Sequence, residues 1–142
     1  MSALSIRQNL ISPTDYLADE DLSETKNEYV DGRIFARAQS NYRHAKVGTN
    51  VLCALKPLLR GSRYRVLGCD ARVHLLHGNH ERFYYPDASV VGDGVDWNAL
   101  FVDNPVVICA DGWDVIRYNE RTDTVPLPCI ECELPLSEIY EE

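Results

Sequence analysis

Long apolar runs are missing from this 142-residue chain: none approaches the ~18 residues that a membrane-spanning helix needs. The opening stretch, residues 1–12, lacks the basic-then-apolar order of a secretion signal, and no segment repeats. Five cysteines without such a signal argue against a disulfide scaffold and for a reducing, cytoplasmic setting. Lysine is scarce too: Lys26, Lys46 and Lys56 are the only three, and none follows residue 56. What is present, 45% hydrophobic and 25% charged residues, is globular composition and excludes a disordered chain. The expectation is one soluble domain over residues 1–142, long enough to bury about two thirds of its unfolded surface.

The net charge of −8 is unevenly spread. Residues 1–32 carry seven acids and two bases, residues 33–82 carry ten bases against Asp70 and Glu81, and residues 83–142 carry thirteen acids and two bases. All four histidines fall in the basic block, and eleven of the fourteen bases are Arg, whose planar fork suits phosphate. Two readings stand. The block is an electrostatic footprint for DNA, with Arg43, Lys46, Arg63 and Arg72 as candidate contacts, or it neutralises its acidic flanks.

Local patterns predict an α+β domain. A short helix is expected over Thr14–Asp21 behind Pro13, and a hairpin over Asn27–Ala36 around Asp31-Gly32. Val47, Val51, Leu52, Leu55, Leu58 and Leu59 mark a helix from His44 to Arg60, ended by Gly61 and loosened at Pro57. Strands follow at Tyr64–Gly68, Arg72–His77, Arg82–Val91 and Pro105–Cys109. A further strand is expected at Trp113–Tyr118, a turn at Glu120–Asp123, and one helical turn in the tail. The break at Pro86-Asp87 inside the Arg82–Val91 run is the most informative spot. Proline cannot donate to a sheet ladder, so it re-aims the next side chain, and an Asp so placed can hold a hard cation through oxygen.

Five short pieces carry a resemblance: Asn27-Glu28-Tyr29-Val30-Asp31-Gly32-Arg33-Ile34-Phe35, then His44, then Arg65 to Val73, then Tyr84-Tyr85-Pro86-Asp87, and Glu133 to Tyr140. In that order they resemble the Uma restriction-endonuclease family, a branch of the PD-(D/E)XK nuclease superfamily. The resemblance implies a restriction-endonuclease-like core, a mixed β-sheet flanked by helices. It also implies DNA phosphodiester hydrolysis assisted by Mg²⁺ or Mn²⁺. By position it makes Asp87 and Glu28 catalytic metal ligands and gives His44 and Asp70 supporting or substrate-contacting roles. One or two metal ions would stabilise charge on the phosphate oxygens and lower the pKa of a bound water.

The chain also departs from that pattern. After Pro105-Val106-Val107-Ile108 the family's Glu and the Lys beyond it are missing, so the core is expected to be incomplete between about residues 109 and 112. Ala110 takes the Glu position, Asp111 would point to the opposite strand face, and Arg117 and Arg121 cannot serve as bases. The expectation is a catalytically impaired nuclease. The alternatives are a non-catalytic DNA-binding or regulatory remnant and an unstable truncated product whose exposed edge a homodimer would cover. Cys129-Ile130-Glu131-Cys132 has half the spacing of a zinc site with nothing to complete it, and His74 and His77 should face opposite sides of a strand. Trp97 and Trp113 are expected in the core or in a lid.

Overall fold

The computed structural model describes residues 10–103, 105–108, 124–127 and 132–140. Helix α1 (Pro13–Glu20) starts at a Ser-Pro pair. The Ser12 hydroxyl accepts from the Asp15 N–H at 3.1 Å, and Pro13 occupies a first turn where a missing N–H costs nothing. Strands β1 (Asn27–Val30) and β2 (Arg33–Ala36) form the expected hairpin, with φ of 48° at Asp31 and 91° at Gly32, as a two-residue primed turn requires. The Asp31 side chain locks this turn to a neighbouring hairpin. One carboxylate oxygen accepts from the Glu81 N–H at 2.8 Å and the other lies 2.9 Å from His80 Nδ1.

Helix α2 (Tyr42–Leu58) begins two residues before His44, because Asn41 caps it by accepting from the His44 N–H at 2.9 Å. Pro57 sits in the final turn, and the helix stops one residue later. Strands β3 (Arg65–Gly68), β4 (Val73–His77), β5 (His80–Tyr84) and β6 (Ala88–Val91) follow, then the short β7 (Val102–Asp103) and β8 (Val106–Ile108). Strands β9 (Thr124–Leu127) and β10 (Cys132–Pro135) run into one turn of helix, α3 (Leu136–Ile139).

The described strands form three sheets, ordered β2-β1-β5-β4-β7, β3-β6-β8 and β10-β9. Every pair is antiparallel except β4 with β7, which gives the first sheet its mixed character. The Arg82–Val91 run is therefore not one interrupted strand. Its first half, β5, ends at Tyr84 in the five-stranded sheet, and its second half, β6, begins at Ala88 in the three-stranded one. Pro86 lies in the crossing, where no ladder asks it for an N–H. Asp87 stands at the seam between the two sheets.

Each large sheet has its own apolar cluster. Val51, Ala54, Leu55 and Leu59 of α2 pack on Ala88 and Val90 of β6 and on Leu134, Leu136 and Ile139. On the other side, Tyr16 of α1, Tyr29 and Phe83 stack with centroids 5.2–5.9 Å apart, extended by Phe101. Trp97 is an exception to expectation: it is 64% exposed, in a surface loop held by Asp96 rather than in the core. Among the described residues no helix is long and apolar enough to cross a membrane. The strand at Trp113–Tyr118, the turn at Glu120–Asp123, and Ala110, Asp111 and Cys129 lie outside the described residues.

Candidate active site: the cavity around Asp87

Three backbone devices bring the site together. The β5–β6 crossing delivers Asp87, the Asn41 cap fixes His44 in the first turn of α2, and the Asp31-Gly32 turn sets the register of the first hairpin. A two-residue turn there pairs Val30 with Arg33 and Asn27 with Ala36, so Lys26 and Arg37 fall opposite one another at the open end. The Arg37 N–H donates to the Lys26 carbonyl at 2.9 Å, which continues the ladder.

Asp87 is one fifth exposed; its Oδ1 accepts from Arg37 Nη2 at 3.2 Å and lies 2.9 Å from His44 Nε2. The two cations of the hairpin end also converge on one carbonyl, that of Cys69, with Arg37 Nη1 at 3.1 Å and Lys26 Nζ at 3.4 Å. Lys26 is ion-paired to Asp70 as well, and that ammonium holds the Asp70 carboxyl below the usual carboxylate range. Lys26, Arg37, His44 and Asp87 line one cavity of about 470 Å³, with Glu24 and Thr49 also on its wall. Gly48 of α2 opens the wall opposite Asp87: a Cβ there would sit 3.8 Å from the Asp87 Cβ.

Glu28 is placed differently. It lies on β1 two residues after Lys26, and its Oε1 accepts from the Tyr85 N–H at 3.4 Å. It thus steadies the crossing that carries Asp87 and does not line the cavity. Beneath it, the Tyr85 hydroxyl donates to Glu20 at 2.8 Å and accepts from Arg72 Nε at 2.9 Å. Burial foremost pushes the Tyr85 hydroxyl up, so it stays a donor. Glu20 in turn accepts from the backbone and side chain of Asn27. This network ties α1, β1 and the Pro86-Asp87 segment into one unit.

The other sequence candidates scatter. Arg43 and Lys46 are exposed in the first two turns of α2, near His44 in sequence. Arg63 lies past the opposite end of that helix, over the Tyr64 ring at 5.1 Å, near a second cavity of about 510 Å³ lined by Lys56, Arg60 and Arg65. Arg72 turns inward. Its side chain is 10% exposed and pairs with Asp21 at 3.1 Å, which makes it an internal anchor and removes it from the surface contacts expected of it. His74 stacks on Phe83 at 4.5 Å between Glu81 and Asp103, whereas His77 is exposed at the strand end. Sequence reading missed Lys26 and Arg37, although the hairpin register alone sets them side by side.

Mg²⁺ binds through oxygen, with one or two carboxylates and several waters or phosphates. Asp87 meets that need poorly, because its Oδ1 already accepts from Arg37, with His44 Nε2 beside it, and Lys26 shares the cavity. Glu28 faces the Tyr85 N–H, and among the described residues no three His, Cys, Asp or Glu side chains cluster to hold a metal. The described donor set does not fit a resident Mg²⁺. It fits an anion.

Comparison with known proteins sets this site in context. A sequence model of the Uma2 family, described as "putative restriction endonuclease", matches residues 13–111. An uncharacterized protein of Synechocystis sp. is 28% identical over 103 residues, covering 70% of this chain and 56% of that protein, so the chain spans about half the length of this relative. The crystal structure of a "putative nuclease belonging to DUF820" from Anabaena variabilis superposes with a TM-score of 0.59 at 16% identity. It covers 85% of this chain and 95% of the other, and shows that the two share the mixed α+β, restriction-endonuclease-like fold. With 99 consecutive residues matched, from Pro13 through the Asp87 cavity, the chain belongs to the Uma2 family.

Proposed function

We propose that this chain binds DNA by seating a backbone phosphate in the Asp87 cavity, and that the metal-assisted cleavage implied for its family is impaired in it. The carrying observation is the donor set of the cavity: the Lys26 ammonium and the Arg37 guanidinium stand on one wall with His44, beside the carboxylates of Asp87 and Glu24. A phosphodiester brings a negative charge and acceptor oxygens to those two donors. Exposed Arg43 and Lys46 extend the basic surface along the first turns of α2, and Arg63 extends it at the far end. A cytoplasmic location is part of the same reading, supported by Cys53, Cys69 and Cys132, all free thiols.

The test pairs binding with plasmid nicking. Duplex DNA should bind with an affinity that falls steeply with salt. Adding Mg²⁺ or Mn²⁺ should leave the nicking rate at its level in EDTA. Strong metal-stimulated cleavage, abolished by Asp87→Ala, would overturn the reading and return Asp87 to a metal ligand.

A further inference from the structure

We propose that the cavity at the C-terminal end of α2 is a second binding site and that it takes a nucleoside di- or triphosphate. It is separate from the Asp87 cavity, because α2 turns a different row of residues to each: Ala45, Gly48 and Leu52 to the first, Cys53, Lys56 and Pro57 to the second. Three cations, Lys56, Arg60 and Arg65, stand around about 510 Å³, and among the described residues no carboxylate lines it. Basic side chains at the end of a helix ordinarily answer its open carbonyls. Here those carbonyls are already served. The Leu59 N–H donates to the Leu55 carbonyl at 3.0 Å, the Arg60 N–H to that of Pro57 at 3.1 Å, and the Ser62 N–H and hydroxyl to that of Leu59 at 3.1 and 2.7 Å. The side chains of Lys56 and Arg60 have no hydrogen-bond or ion-pair partner among the described residues. Arg65 is pinned at Nη1 by the Ser62 and Tyr64 carbonyls, each at 2.8 Å, which leaves Nε and Nη2 to face a ligand.

The cations and the apolar walls together select the ligand. A backbone phosphodiester brings one negative charge, and a duplex would span the rim without reaching Leu59 and Val66. A nucleoside di- or triphosphate carries several charges on adjacent groups, which meet three cations at once. Its base is a flat body for the space between Pro57 and Tyr64, and the volume lies within the range of about 300–1,000 Å³ that small-molecule pockets occupy. Beyond the cations, the side chains on the wall offer a base edge only the Cys53 thiol and the Tyr64 hydroxyl, and that hydroxyl already accepts from Arg63 Nη2 at 3.0 Å. Adenine and guanine are therefore held alike.

The experiment is calorimetric titration of the whole chain in EDTA with ATP, GTP, adenosine and inorganic phosphate. ATP and GTP should bind equally, and adenosine and phosphate each about tenfold or more weakly, since each keeps only part of the contacts. A Lys56→Ala, Arg60→Ala double variant should lose about tenfold or more in ATP affinity, whereas Arg37→Ala should bind ATP as wild type does. Both altered residues are exposed, so the double variant should keep the wild-type melting curve. Absence of saturable ATP binding, undiminished ATP binding by the double variant, or its loss in Arg37→Ala would each overturn the site. Phosphate binding as tight as that of ATP would overturn the nucleotide. A double variant that loses duplex affinity and keeps ATP affinity would assign the cavity to DNA instead.

Discussion

His44 Nε2 and Asp87 Oδ1 lie 2.9 Å apart although 43 residues separate them in sequence, and Arg37 closes on the same oxygen from a third element at 3.2 Å. The helix cap, the open end of the hairpin and the crossing between sheets meet at one atom. Lys26 and Arg37 stand on the same cavity wall, and the proposed reading gives those donors a phosphate.

Arg37 is the cation most firmly held there, by the Cys69 carbonyl and by Asp87. Arg37→Ala should weaken duplex DNA binding about tenfold and reduce the salt slope by about one. Fluorescence anisotropy over a salt series measures both. An unchanged slope would place Arg37 outside the contact.

Gly48 offers a way to separate folding from occupancy. With 3.8 Å between an added Cβ and that of Asp87, Gly48→Ala fits and should stabilise the helix by about 0.5–1 kcal/mol. Gly48→Leu should fill the cavity and depress DNA binding while the chain stays folded. Equal binding by the two variants would show that the ligand sits elsewhere.

Tyr85→Phe removes one hydroxyl that serves both Glu20 and Arg72. Because both partners are largely buried, the loss should cost about 1–3 kcal/mol, read as a lower urea midpoint with an unchanged m-value. A midpoint within error of wild type would mean that the network does not hold the crossing.

Asp31 should govern part of the acid limb of stability. Its carboxyl is held below the usual carboxylate range, first by the hydrogen bond from His80 and then by the Glu81 N–H. A depressed folded value means that the group stabilises the fold above the ordinary Asp range and stops doing so as pH falls through the lower value. Between pH 7 and pH 2 the urea midpoint of wild type should therefore fall further than that of Asp31→Asn, a residue that tolerates the positive φ of the turn. Parallel declines would contradict the assignment.

Much of this was legible before any coordinates. The Asp31-Gly32 turn, the two helices and the break at Pro86 follow from local chemistry, because positive φ, apolar periodicity and a missing donor each admit few residues. The Asn41 cap, which starts α2 at Tyr42, was not read. The separation of β5 from β6 into two sheets was not legible, since strand periodicity says nothing about which partner a strand pairs with. Arg72 shows the same limit. Its charge is local information, but its burial against Tyr85 and Asp21 depends on where α1 packs. Lys26 and Arg37 are the instructive case: the turn type fixed their pairing, and only the distant Cys69 carbonyl and Asp87 gave it a use.

The central claim, that the cavity takes a phosphate of DNA, is tested most directly by one binding measurement. A short fluorescein-labelled duplex is titrated over a salt series with wild type and with a Lys26→Ala, Arg37→Ala double variant. The account predicts a linear fall of log affinity with log salt for wild type, and for the double variant weaker binding with a slope smaller by about one, as loss of one phosphate contact requires. Salt-independent binding, or a double variant with wild-type affinity and slope, would contradict it.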